Sequence, residues 1–285
     1  MSRFLAYRGN EPERLRLAVH GLRSVLFPEV SDEELLSDGS SEPSFSGQKT
    51  RWGLGYYVGG EAHVQRFSAL PAQGYFALRS LRCEVALGQG SDAAADASPQ
   101  QASPHRYGRL LLSLQSQPGT GSTMLALPAG SVVTDVAEHA AAEIPEYLQR
   151  NLRDGGPGEL LLHRFCARLD EADPDYLSMP QLPSEVALAV LAAVVPASKS
   201  GASQQVALTN GDWLIVARRG PSPMYFRVLH GVSEGEVRHE SYRGFIATSQ
   251  PRLSADAANS AGLNELLSDQ ALIVSSDLSV RTQSF

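Results

Sequence analysis

Asn210-Gly211 stands between two apolar runs, residues 206–208 and 213–217, and this commits the last third of the chain to antiparallel β-structure. An Asn-Gly pair between strand-like runs is a hairpin signal because both residues accept the positive φ of a tight turn. A second hairpin follows from Gly59-Gly60, set between residues 52–58 and 62–67. Short strands are also expected at 2–9, 83–87, 107–114, 225–229, 244–248 and 271–275, where apolar or alternating runs end at turn residues. Helical spacing of apolar residues falls at 15–27, 74–82 and 184–195, the last with Ser184 as its cap and Glu185 in the first turn. A further helix is expected over 135–152, where Thr134 or Asp135 can cap and Glu138 completes a capping box; Pro145 should kink or divide it. Strands at both ends of the chain flank helices in the middle. The expected fold class is therefore α+β, a layered sheet protein, with residues 1–285 forming a single domain.

Charge and composition narrow the function. The chain has 31 acidic and 24 basic side chains, and only Lys49 and Lys199 of the latter are lysines. A net charge of −7 argues against nucleic-acid binding driven by phosphate neutralisation. The longest apolar run, 186–196, is about half of the ~20 residues that cross a bilayer, and no apolar segment follows Arg3 and Arg8 as a signal peptide would require. Cys83 and Cys166 are too few for a disulfide framework or a four-thiolate metal site, and the seven histidines show no paired spacing. The expectation is a cytoplasmic protein with no metal, no cofactor, no nucleic-acid partner and no membrane contact. Residues 37–49 and 89–104 read as loops, the second a mobile one without a large apolar anchor. Arg218-Arg219, after a strand and before Gly220-Pro221, reads as a solvated loop rather than a clamp for an acidic ligand.

Several segments taken in order carry a resemblance. Ser2-Arg3-Phe4-Leu5-Ala6-Tyr7-Arg8-Gly9 resembles the start of stand-alone class II glutamine amidotransferases, which usually begin Met-Cys. Trp52-Gly53-Leu54-Gly55-Tyr56-Tyr57 resembles the Gly-Trp-Gly-Leu-Gly hairpin of that family. Val85-Ala86-Leu87-Gly88 and Arg106-Tyr107-Gly108-Arg109-Leu110-Leu111 match the strands beside its substrate loop, and Thr134-Asp135 with Glu138 resembles its Thr-Asp-Ser-Glu helix start. Thr209-Asn210-Gly211, Val216-Ala217-Arg218, Ala247-Thr248-Ser249 and Asp277-Leu278-Ser279-Val280 resemble its C-terminal strands. The resemblance implies a four-layer αββα sandwich of the N-terminal-nucleophile hydrolase type. It further implies Ser2 at the nucleophile position, and Asp135, Trp52 and Gly53 at positions that bind substrate. Three positions depart from the pattern. The nucleophile is serine, Ser91 stands where the family has its carboxylate-binding arginine, and Gln115-Ser116 stand where it has the oxyanion Asn-Gly.

Magnitudes weigh these departures. Losing a charge-assisted contact to a substrate carboxylate removes roughly 1.5–3 kcal/mol. Losing an oxyanion donor costs about 2.7–4 kcal/mol. A hydroxyl needs a well-placed base, whereas a thiol is partly ionised near neutrality. The combination favours a catalytically silent amidotransferase-like protein that binds a partner protein or a small ligand. Two alternatives stand beside it: an N-terminal serine amidohydrolase acting on a γ-glutamyl-like amide, and a structural subunit or oligomer using an exposed edge or patch.

Overall fold

In a computed structural model, the described residues are 3–23, 50–69, 71–91, 104–117, 144–153, 157–177, 182–195, 203–234, 237–249 and 254–285. The strands are β1 (Arg3–Gly9), β2 (Thr50–Val58), β3 (Glu61–Ala69), β4 (Val85–Ser91), β5 (His105–Tyr107), β6 (Leu110–Gln117) and β7 (Ser203–Thr209). They continue with β8 (Leu214–Arg219), β9 (Met224–Glu234), β10 (Val237–Ser249), β11 (Asn264–Leu266), β12 (Gln270–Val274) and β13 (Val280–Ser284). The helices are α1 (Leu15–Gly21), α2 (Pro71–Ser80), α3 (Glu146–Gln149), α4 (Pro157–Ala172), α5 (Ser184–Val194) and α6 (Ala255–Ser260). One sheet runs β11-β9-β10-β1-β4-β2-β3 and the other β13-β12-β8-β7-β6-β5, every pairing antiparallel.

Alternation along the strands builds three cores, and these define four layers. On β1, Leu5 and Tyr7 point to a core shared with Leu15 and Val19 of α1 and Tyr75 and Leu78 of α2. Phe4 and Ala6 point the other way, into a layer with Leu111, Ala207, Leu214 and Val216 of the second sheet. Leu112, Val206, Leu208 and Ile215 cover the far side of that second sheet, against Leu162, Phe165 and Leu169 of α4 and Leu188 and Leu191 of α5. Strands covered on both faces cannot alternate apolar with polar, which is why these runs read as continuously apolar. The observed architecture is the expected αββα sandwich. Gly55 lets the sheets approach: a Cβ there would lie 2.9 Å from Pro104 Cγ and 3.3 Å from Leu111 Cδ1.

The Gly59-Gly60 hairpin forms as expected, with φ of 59° and 82° and Val58 paired with Glu61. Other expectations are corrected. Thr209 pairs with Leu214, so Asn210-Gly211 opens a four-residue loop instead of a two-residue one. The Asn210 side chain explains this, because its Oδ1 accepts from the N–H groups of Asp212 and Trp213 at 3.0 and 3.2 Å. The single strand expected at 107–114 is a hairpin, β5 and β6, turned at Gly108 with φ 54°. Pro145 is the N-cap of short α3 and not a kink within a longer helix; residues 135–143 lie outside the described set. Pro183, not Ser184, precedes the first residue of α5. The loop expected at 89–104 begins later, since β4 continues to Ser91, held on both sides by β1 and β2; Pro104 is buried, and 92–103 lie outside the described residues. Cys83 and Cys166 are buried free thiols, and burial pushes the Cys83 thiol up to about 12.

Candidate functional site

Between the sheets the layer is apolar in its middle and polar at both ends. At one end Arg8 (4% exposed) crosses to the second sheet side, donating from Nε to Ser275 O at 3.0 Å and from Nη1 to Gly211 O at 2.8 Å. At the other end, where β1 starts, neutral polar side chains form a cluster, with Ser113, Gln205 and Ser249 buried and Gln89 half-buried. Its centre is Gln89. On β4 it shares the inner face with Val85 and Leu87, and its backbone pairs with Phe4 of β1 and Gly53 of β2. Gln89 Nε2 donates to Leu114 O and Ser113 Oγ donates to Gln89 Oε1, both at 3.0 Å. One amide thus ties the first sheet to β6 of the second through its donor and its acceptor.

A second latch lies beside it. Gln205 Nε2 donates to the carbonyls of Ser222 and Pro223 at 3.2 and 3.1 Å. Ser249 of β10 donates to the same Pro223 carbonyl at 3.1 Å, and Thr248 Oγ1 donates to Phe4 O at 2.9 Å. Gln205 is 1% exposed and its Oε1 has no hydrogen-bond partner among the described residues. A buried amide oxygen left this way forfeits about 1–3 kcal/mol unless a guest donor fills it. The ion pair at this end is Arg218 with Glu265, at 2.6 Å. Arg218 is 5% exposed and also donates to the carbonyls of Leu266, Gly220 and Pro221. It is therefore a buried tether between β8 and β11, neither a solvated loop residue nor an open carboxylate clamp. Arg219 is likewise engaged, donating to Ala192 and Val195 carbonyls and stacking 4.6 Å over the Phe285 ring.

The residues expected from the sequence fall around this end unevenly. Ser2 and Asp135 lie outside the described residues. Ser91 ends β4, two residues past Gln89, with its backbone paired to Arg51. Gln115 and Ser116 follow Leu114 on β6, paired with Gln205 and Gln204. The Gln89 bridge therefore joins the two strands that carry the expected clamp and oxyanion positions. Gly53 lies beside Gln89 on β2. Trp52 is on the opposite face, 2% exposed in the helix-side core, where the indole closes on Gly74 of α2. Gln89, Ser113, Gln205 and Ser249 were not foreseen as site residues. The one signal for them is parity: each shares a face with inward apolar neighbours on its strand. No group of three or more His, Cys, Asp or Glu side chains suited to a metal occurs among the described residues. No helix among the described residues is long and apolar enough to cross a membrane.

No protein-family model and no curated protein matches the chain. Solved structures do. A glutamine aminotransferase class-II domain protein from Silicibacter pomeroyi has a TM-score of 0.54 at 15% identity, over 99% of both chains. The glutamine phosphoribosylpyrophosphate amidotransferase of B. subtilis gives 0.52 at 12% identity, over 99% of this chain but 49% of its own. A structure described as the allosteric regulatory enzyme of purine biosynthesis gives 0.55 at 12% identity, this chain spanning 48% of it. At such identities the likeness is one of fold: the sandwich is that of the N-terminal-nucleophile class II glutamine amidotransferases.

Proposed function

We propose that this chain uses the class II glutamine amidotransferase-like fold without glutaminase chemistry, as a cytoplasmic pseudo-enzyme that binds a partner protein or a small ligand. The observation that carries this reading is the Gln89 bridge, with both its hydrogen bonds at 3.0 Å between β4 and β6. On this reading, a side chain committed to both sheets stands in the path of a substrate beside Gly53. The chemistry of the surroundings agrees. The hydrogen-bonding groups described above at this end are mainly amides, hydroxyls and carbonyls; the Arg218 guanidinium is engaged by Glu265 and three carbonyls, and that of Arg219 by the Ala192 and Val195 carbonyls. None of these abstracts a proton near neutrality or holds an α-carboxylate by charge. The test is ammonia release from glutamine by purified protein whose Met1 has been removed. No turnover above a Ser2→Ala control is expected; turnover that vanishes in that control overturns the reading.

One observation favours a serine amidohydrolase instead. The open Gln205 Oε1 is an acceptor suited to the N–H of a γ-glutamyl-like amide. Hydrolysis of γ-glutamyl amides that depends on both Ser2 and Gln205, with glutamine itself left intact, would establish that second reading.

A further inference from the structure

Away from the polar end, the edge strands β3 and β5 meet the segment between α3 and α4 around a cavity of about 750 Å³. None of Gln89, Ser113, Gln205 and Ser249 lines it. Four arginines line it together with the acidic Glu159: Arg66 comes from β3, Arg106 from β5, and Arg150 and Arg153 from the segment after α3. Arg66 donates to Pro104 O at 3.1 Å and to His105 Nδ1 at 3.3 Å, while Arg106 is tied to Ala62 O and Arg150 to Glu146. The Arg153 guanidinium has no hydrogen-bond or ion-pair partner among the described residues; its backbone N–H is held by the buried carboxylate of Glu159 at 2.9 Å.

His163 of α4 supplies the second observation. It is 2% exposed, and its Nδ1 donates to the Glu159 carbonyl one helical turn back at 2.9 Å. That bond places the proton of the neutral ring on Nδ1 and leaves a lone pair on Nε2. Nε2 is buried and has no hydrogen-bond partner among the described residues. Tyr107 fixes the ring edge-on, with centroids 5.5 Å apart at 80°. The cavity therefore brings together several arginines, with the Arg153 guanidinium unengaged among the described residues, and, at one buried point, an Nε2 lone pair without a partner among them.

We propose that this cavity binds a small phosphate-bearing anion. Phosphate meets both requirements, because its second pKa near 6 lets one oxygen carry or share a proton while the others accept from guanidinium groups. Sulfate and carboxylates are fully ionised near neutrality and bring no proton to Nε2. A cavity of about 750 Å³ is also the size of pockets that hold small organic ligands.

The test uses the full chain at pH 6.5, with thermal unfolding and calorimetry against inorganic phosphate, glycerol 3-phosphate, sulfate and acetate at matched ionic strength. Both phosphates are expected to bind and raise the melting temperature, while sulfate and acetate do neither. Tighter binding of glycerol 3-phosphate assigns the site to a phosphate ester, and tighter binding of inorganic phosphate assigns it to the free ion. Arg153→Ala should weaken binding about tenfold or more, since it removes a charge-assisted contact from an exposed side chain that holds no other group among the described residues. Because His163→Phe changes a buried site, the wild-type imidazole nitrogen spectrum serves beside it, and phosphate should shift the His163 Nε2 resonance. Equal responses to phosphate and sulfate, an Arg153→Ala protein that binds as tightly as the wild type, or an unmoved Nε2 resonance would each overturn the proposal.

Discussion

Gln89 is the residue on which the two sheets meet at the polar end, its amide bonded to Leu114 O and to the Ser113 hydroxyl. Truncation to alanine removes the acceptor of the buried Ser113 hydroxyl and one donor to the Leu114 carbonyl. Gln89→Ala should therefore lose about 1–3 kcal/mol of stability, read as a lower denaturant midpoint with an unchanged slope. The cycle with Ser113→Ala should show coupling of about 0.5–1.5 kcal/mol; strictly additive effects would mean the bridge is not formed. His105 offers a pH test. It is 3% exposed, and burial, with the Arg66 guanidinium beside it and the neighbouring His163, pulls its pKa down to about 4 despite the Glu159 carboxylate. Between about 4 and the ordinary value near 6.5 the unfolded chain binds a proton that the folded chain refuses. Stability therefore falls as pH drops through that window, by roughly 3 kcal/mol once pH lies below both values. His105→Gln should lose visibly less stability than the wild type between pH 7 and pH 4.5. An identical loss in the two proteins would show that His105 titrates normally.

At the level of elements, the close seating of α2 on β2 rests on Gly74, where a Cβ would fall within 3 Å of three indole atoms of Trp52. Two effects compete in Gly74→Ala. Helix propensity favours alanine by about 1 kcal/mol, but overlap with a fully buried indole costs typically 1–3 kcal/mol. Trp52 has no room to retreat, being 2% exposed in the helix-side core, so the net change should be destabilising by about 1–2 kcal/mol in thermal unfolding. A stabilised variant would mean the helix slides outward freely. The same packing shows what a sequence discloses. Strands such as β4 and β12 were legible because burial on both faces forces unbroken apolar runs, β1 because an alternating run closes at Gly9, and the Gly59-Gly60 turn because its positive φ values demand glycine. The β5–β6 turn was hidden, since Tyr107-Gly108-Arg109 interrupts one apolar stretch without changing its composition. Arg218 was misread because a basic pair before Gly-Pro resembles a surface loop; only its parity with inward Leu214 and Val216 marks it as buried. Gln89, Ser113 and Gln205 belong to no motif. Their meaning arises only once two sheets, far apart in sequence, are laid face to face.

For the whole molecule, the three cores show that the stability of this sandwich does not depend on the residues of its polar end. The helix-side cores and the middle of the inter-sheet layer hold the large apolar side chains, whereas the polar end contributes mainly hydroxyls and amides. Replacing catalytic residues at that end leaves the burial that stabilises the sandwich almost untouched. The converse holds for restoring function: a preserved frame does not carry a preserved site. On the reading proposed above, Ser2→Cys supplies a better nucleophile but neither a carboxylate clamp nor oxyanion donors. Those two absences together amount to roughly 4–7 kcal/mol if they add, or about three to five decades of rate. Strict additivity is not expected for groups acting on one substrate at one site. The Gln89 bridge adds a steric term of its own, because it joins β4 to β6 between the positions that a substrate's two ends would reach. Ser2→Cys should therefore release no ammonia from glutamine above background. Ser2→Cys with Ser91→Arg, Gln115→Asn and Ser116→Gly should stay weak until Gln89 is also shortened, for example by Gln89→Ala. The measurement is ammonia release by the single, quadruple and quintuple variants, with circular dichroism to establish that each is folded. Robust turnover by the single variant would mean that the pocket beside Ser2 is open and complete, and the proposed loss of chemistry would fail with it.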